Sequence, residues 1–321
     1  MSRLLPVLSS AVVMACLAAR ADDSQFARPK IGFVFDNDSR KIWTLSGMPG
    51  AALVTSPVAL DFEVDRALVS SALSFAIAST PGANNLKVIR LLENGPVVTS
   101  ISDSLGMFDL GSLSRGGKSA IVYQSGCRCV QVFSGLPDAP QLARTVTLAQ
   151  DDSIVQAVAV SDDAAKFAIA TRTGYSGETA IYTADARSTN PLPADALAFS
   201  PDGTSLAVAD ALQKTVSLLR DGNLIPLATE QNGVDSPAAL AFASAGRIVV
   251  ADRGSRVHVI ATDTARVVSI DCPCNPSTVQ ATSVEDTFRI SEIASGSLWI
   301  VQLTDESARA MFIPMDAEGT K

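Results

Sequence analysis

The residues with the most chemical potential are four cysteines in two Cys-x-Cys pairs, Cys127-Arg-Cys129 and Cys272-Pro-Cys274, a single histidine, His258, and a wide scatter of carboxylates. Cysteines at this spacing can close local disulfides, stay free, or serve metal or redox chemistry. A four-cysteine zinc site would need all four thiolates to converge. With one histidine the chain has little material for a mixed Cys/His site, for haem ligation or for a Ser-His-Asp hydrolase. It also carries no Cys-x-x-Cys-His and no Gly-x-Ser-x-Gly segment. His258 lies in Val257-His-Val-Ile260, where alternation sets it opposite both valines and predicts an outward-facing strand residue. Carboxylates such as Asp36, Asp109, Asp210, Asp252 and Asp286 could supply oxygen ligands to calcium, but no loop has EF-hand spacing. Asp36, Asp210 and Asp252 end similar apolar runs, Val-Phe-Asp and twice Val-Ala-Asp. That recurrence predicts carboxylates that hydrogen-bond local backbone. No catalytic, cofactor-binding or metal-binding residue is assigned, and calcium is the only cofactor for which the residue types leave room.

These residues are positioned by a repeat. Its clearest copy reads Ala196-Leu-Ala-Phe-Ser-Pro-Asp-Gly-Thr-Ser-Leu-Ala-Val-Ala-Asp210: a strand, a tight polar turn, then an apolar strand. Equivalent turns fall at Ser70, Ser114, Ser161, Ser200, Ala243 and Ser283, spaced by 44, 47, 39, 43 and 40 residues. Such a period accommodates four short strands and their turns. Third strands read Lys87–Arg90, Val130–Phe133, Thr215–Leu218 and Val257–Ile260, and weaker fourth strands follow at Val97–Thr99, Ala143–Val146 and Leu224–Leu227. Residues 31–54 match the second, third and fourth strands of one further unit. No long segment has the 3.6-residue apolar period of a helix. The expectation is an all-β fold, a β-propeller of seven blades built from four-stranded antiparallel sheets. The first blade is either three-stranded or completed by C-terminal residues such as Met311–Met315. Trp43 and Trp299, at the same position of the first and last units, are expected to pack between neighbouring blades.

The segment Phe199-Ser-Pro-Asp-Gly203 with Leu206-Ala-Val-Ala-Asp210 resembles the WD40-like and YVTN (YncE-like) propeller repeats. In its turn Pro201 presets φ, and Gly203 supplies a left-handed position. The resemblance implies the architecture, and proteins of this shape span many functions. It is close only around Ser200, Pro201, Asp202 and Gly203. The other turns read Ser-Ser-Ala-Leu, Ser-Arg-Gly-Gly, Ser-Asp-Asp-Ala and Ala-Ser-Ala-Gly, and the sequence shows no His-Asp pairing network of the eukaryotic WD type.

The repeat map places Cys127 and Cys129 in the turn between second and third strands of the third blade, and Cys272 and Cys274 in the link from the sixth blade to the seventh. Nearly opposite blades are too far apart for a bond that needs Cα atoms within about 7 Å. The prediction is therefore two local disulfides, Cys127 to Cys129 and Cys272 to Cys274.

Residues 1–21 read as a secretory signal, with Arg3, the apolar Leu4–Ala19 and the cleavage motif Ala19-Arg-Ala21. Cys16 offers lipid anchoring as an alternative. Residues 22–30 form a polar segment, 31–314 the propeller and 315–321 a tail. No other stretch is long and apolar enough to span a membrane. The chain of 321 residues is 47% hydrophobic but only 5% aromatic, so its core must rest on aliphatic side chains. The signal holds Arg3 and Arg20 and no acid, so its removal takes the net charge from −8 to −10. Lysines and arginines are scattered, which argues against nucleic acid as a partner. The expected protein is a monomeric, secreted or periplasmic, non-catalytic module that binds an envelope protein or extracellular ligand. The alternative is a lactonase- or lyase-like enzyme with channel carboxylates and a divalent cation.

Overall fold

The computed structural model describes residues 29–244, 246–293, 297–304 and 307–316. The expected signal, its Cys16 and most of the polar segment lie outside the described residues. Seven antiparallel sheets follow one another along the chain, each strand paired with its sequence neighbour. Six blades have four strands and the first has three, Lys30–Asp36, Lys41–Ser46 and Leu53–Pro57. Between blades, the inner strands sit beside one another around a central channel.

Seven hydrophobic clusters fill the spaces between successive blades, including one between the seventh and the first. A second strand is therefore covered on both faces, and Phe75–Ser79 and Ser205–Asp210 are buried at every position. Ala76, Ala78, Ala168, Ala170, Ala207, Ala209 and Ala251 have no exposed surface. Alanine is a weak strand former, but near the axis the blades converge and small side chains fit the taper. Trp43 packs with Leu298 and Ile300 at the closure, while Trp299 turns to the other side of its blade, toward the sixth.

The missing strand of blade 1 is the inner one. The C-terminus does not replace it: residues Ala308–Pro314 form the outer strand of blade 7. Beyond them Met315 makes a parallel bridge to Val54, on the outer strand of blade 1. On the inner side, Phe33 N–H donates to Ser71 Oγ at 3.0 Å and the Ser71 hydroxyl donates to Phe33 O at 3.1 Å. One serine thus satisfies an edge residue that a strand would otherwise cover. Gly32 is required there, because a Cβ would lie 2.6 Å from Ser71 Oγ. Gln280, on the inner strand of blade 7, donates its side-chain amide to Val69 O of blade 2 and spans the gap.

Candidate functional site

The ring has two faces. The turn face carries the first-to-second and third-to-fourth turns. The link face carries the second-to-third turns and the segments that connect blades. On the turn face Ser200, Asp202 and Gly203 build a fixed unit. Gly203 N–H donates to Ser200 O at 2.8 Å, Ser205 N–H to Ser200 Oγ at 3.0 Å, and the Ser200 hydroxyl to Asp202. That hydroxyl, with Thr204, holds the Asp202 carboxyl down at about 2. Ser161 repeats the unit with Asp163, Ala164 and Lys166, and Ser114 repeats its backbone bonds with Gly117 and Ser119. Ala164 adopts the left-handed φ of 58° that Gly203 takes at 66°.

Neighbouring turns are also tied together. Gly116 N–H donates to Asp162 Oδ1 at 2.7 Å, and Lys166 Nζ to Gly203 O at 3.0 Å. Between blades 6 and 7, Asp286 accepts from Ser244 N–H and hydroxyl and pairs with Arg247 at 2.7 Å. Burial raises the Asp286 carboxyl, but Ser244, Arg247 and Arg115 outweigh it and hold it below the usual range. Arg115 crosses the ring: its Nε donates to Phe242 O at 2.6 Å and its guanidinium lies 5.7 Å from the Phe288 ring centre. This strut runs from blade 3 to blades 6 and 7 on the turn side of the channel.

The channel has a volume of about 390 Å³. Its wall includes Arg66 and Asp109 at the link end and Arg289 and Glu292 of blade 7. Beside blade 1, Phe35 and Asn37 line it in place of an inner strand. Arg289 is occupied by Glu292 at 3.0 Å and Gln280 at 2.7 Å.

On the link face, cations from second strands and the turns that follow them reach carboxylates of the links. Arg40 pairs with Asp65 at 3.1 Å, Arg128 with Asp151 at 2.8 Å, Arg172 with Asp195 at 3.1 Å, and Lys214 with Glu230 and Asp235 at 2.8 Å. Arg40, Arg128 and Lys214 each stand immediately before a third strand with positive φ, near 56°, 51° and 53°. The six links, 58–65, 101–109, 148–153, 191–195, 229–236 and 272–279, contain no lysine or arginine. Asp61, Glu63, Asp103 and Asp152 in these links have no ion-pair partner among the described residues.

The expected backbone role of the repeated carboxylates is what the structure shows. Asp36 accepts from Asp38 and Ser39, Asp210 from Leu212 and Gln213, and Asp252 from Asp235, Ser236 and Gly254. His258 corrects the outward-facing expectation: it is fully buried, between the Asp252 carboxylate at 3.2 Å and the Ser269 hydroxyl at 2.8 Å. Both faces of a middle strand pack against a neighbouring blade, so alternation does not turn His258 to solvent. An Asp-His pair is therefore present, though the sequence shows no network of that kind. Burial raises the Asp252 carboxyl, but His258 and three backbone N–H groups hold it well below its usual range. The signal that could have exposed the pair is their shared blade, with Asp252 ending the second strand and His258 in the third. Ser269, in the outer strand, bonds the other ring nitrogen, and neither His258 nor Ser269 lines the channel.

Each Cys-x-Cys pair comes together locally, with Cα atoms 5.1 Å apart and the sulfurs within bonding distance. Both pairs are on the link face, Cys127 and Cys129 in blade 3, Cys272 and Cys274 between blades 6 and 7. Among the described residues no three Cys, His, Asp or Glu side chains converge as a metal site.

This geometry defines a seven-bladed β-propeller. No protein-family model matches the chain, and no curated protein matches it in sequence. It is similar in structure to a functionally unknown protein from Desulfotomaculum acetoxidans DSM 771, at 14% identity and a TM-score of 0.59, covering 90% of this chain and 100% of that one. The β-propeller domain of Myceliophteria thermophila Cps50 (Swd1) aligns at 8% identity and a TM-score of 0.55, covering 86% and 96%. A chain of a nidogen/laminin complex aligns at 12% identity and a TM-score of 0.51, covering 74% and 92%. At such identities the likeness shows the fold alone.

Proposed function

We propose that this chain is an exported β-propeller that serves as a non-catalytic binding or scaffold module of the cell envelope, using its link face. The observation that carries the reading is the link face's combination of the 85% exposed Tyr175 with connecting segments that hold unpaired carboxylates and no lysine or arginine. Rigid frames that present loops from one face suit recognition. The N-terminal signal supports export to the periplasm or beyond. In an oxidising compartment the two Cys-x-Cys pairs would be closed as local disulfides. The turn around Ser200 supports kinship with the YVTN-type repeats, and a monomer is the expected form.

The test is affinity capture of the mature protein, tagged at its C-terminus, from its own host's envelope. The expected result is a stoichiometric partner that is lost when link-face loops are altered and kept when turn-face loops are altered. Absence of any partner, or reproducible turnover that depends on one carboxylate, would overturn the reading.

A second reading rests on the channel. Its volume and the mouth residues Arg66, Asp109 and Glu292 suit a small polar ligand. A lactonase- or lyase-like activity there, with calcium or another divalent cation, would show as turnover abolished by Asp109→Asn or Glu292→Gln.

A further inference from the structure

Among the described residues, three large apolar side chains exposed on the link face lie at blades 4 and 5, while Met107 stands apart in the link from blade 2 to blade 3. The second and third strands of blade 4, Phe167–Thr173 and Ser176–Tyr182, are each seven residues long and stay paired up to Thr173 opposite Ser176. Only Gly174 and Tyr175 connect them, with Gly174 at φ 58° making the tight turn. Tyr175 at this tip is 85% exposed. Tyrosine is a large side chain whose ring usually packs, and here nothing covers it. Ile154 begins the inner strand of the same blade, paired with Arg172 near the base of the tip, and is 64% exposed. Leu212, in the adjacent turn of blade 5, is 45% exposed. Its neighbour Ala211 donates its N–H to Asp195, the carboxylate that Arg172 also holds.

Charge around these three residues runs one way. Arg172 is shared between Asp195 at 3.1 Å and the buried Asp210 at 3.3 Å, so the group keeps a negative balance. Arg128 is taken by Asp151, and the adjoining Asp152, two residues before Ile154, has no ion-pair partner among the described residues. The neighbouring links add carboxylates and no cation. An apolar tip in such a field favours a partner that brings both apolar contacts and positive charge.

We infer that Tyr175, Ile154 and Leu212 form the docking site for a basic, amphipathic segment of a partner protein. Tyr175 is the anchor, and Asp152 with the link carboxylates selects positive charge. This rests on the proposed binding role and names the chemistry of its partner.

The experiment titrates the mature protein with a fluorescent peptide of alternating lysine and leucine, read by anisotropy, beside the same peptide with glutamate for lysine. The expected result is binding of the lysine peptide only. That binding should weaken about tenfold in Tyr175→Ala and several-fold in Asp152→Lys, and fall with added salt. Turn-face controls, Met48→Ala and Asp138→Lys, should leave it unchanged. All four positions are exposed, and circular dichroism checks that each variant is folded. Equal binding of the two peptides, no binding of either, or equal losses from the two faces would overturn the inference. A partner captured from the envelope that is lost only with turn-face changes would overturn this site while leaving the binding role standing. No captured partner at all would remove the role itself.

Discussion

On the turn face, Ser114, Ser161 and Ser200 spend their hydroxyls on backbone of their own turns, Asp162, Lys166 and Asp286 reach to neighbouring blades, and Arg115 reaches across the ring. On the link face, Arg40, Arg128, Arg172 and Lys214 are used to hold link carboxylates, and acids are still left over. Both faces stitch the ring together and both expose some apolar side chains, Met48 and Leu73 on the turn face among them, but Tyr175, the most exposed of the large ones among the described residues, and the links without lysine or arginine belong to the link face. A closed ring needs its blades held in register; it does not need Tyr175 in water. The surplus on the link face is the part of the molecule that stability does not explain.

The largest effect is expected at the fully buried Asp252–His258 pair of blade 6. Asp252→Ala should leave His258 and three backbone N–H groups without their acceptor. A loss of about 3 kcal/mol in urea unfolding is expected. A change close to zero would show that the pair does not hold blade 6. Arg115→Ala should cost about 1.5 kcal/mol, the scale of a charge-assisted bond to a carbonyl. A substitution at the exposed Arg187–Glu178 pair should cost far less.

Acid should report the same lattices. The carboxyls of Asp163, Asp202, Asp252 and Asp286 all lie below their ordinary value of 3.8 in the folded protein. Their contribution is present above that value and is lost as pH falls through the folded values, which for Asp202 is about 2. Thermal midpoints should therefore hold steady from neutral pH down to about 4 and drop below it. A midpoint that rises on acidification below that point would contradict these shifts. The smallest effect is expected at Ala164, whose left-handed backbone repeats that of Gly203. Ala164→Gly should stabilise by about 0.5 kcal/mol, the relieved strain being partly offset by unfolded-state entropy.

How much of this was legible in the sequence depended on which interaction set the position. The spacing of Ser70, Ser114, Ser161 and Ser200 marked the inner turns, because each turn must return the chain after the same number of strand residues. Turns as different as Ser-Pro-Asp-Gly and Ser-Asp-Asp-Ala close with the same bonds, since the serine hydroxyl and a left-handed fourth residue do the bonding in both. The burial of His258 was not legible, because alternation describes a sheet with one wet face and these blades have none in their middle strands. The Arg115 strut joins residues 127 apart in sequence, and no local pattern encodes it. The closure at Ser71 and Gln280 was hidden for the same reason. Tyr175 carried no motif either: a tyrosine in a short turn gains meaning only once its exposure is known.

A link-face binding site can be tested with a photo-crosslinking amino acid placed at Tyr175 or Leu212 on the link face, and at Met48 or Leu73 on the turn face. Crosslinking is performed in the envelope of the native host and read by mass spectrometry. One protein should be captured at Tyr175 and Leu212 and be absent at Met48 and Leu73. Capture from the turn-face positions, or equal yields from both faces, would contradict a link-face site.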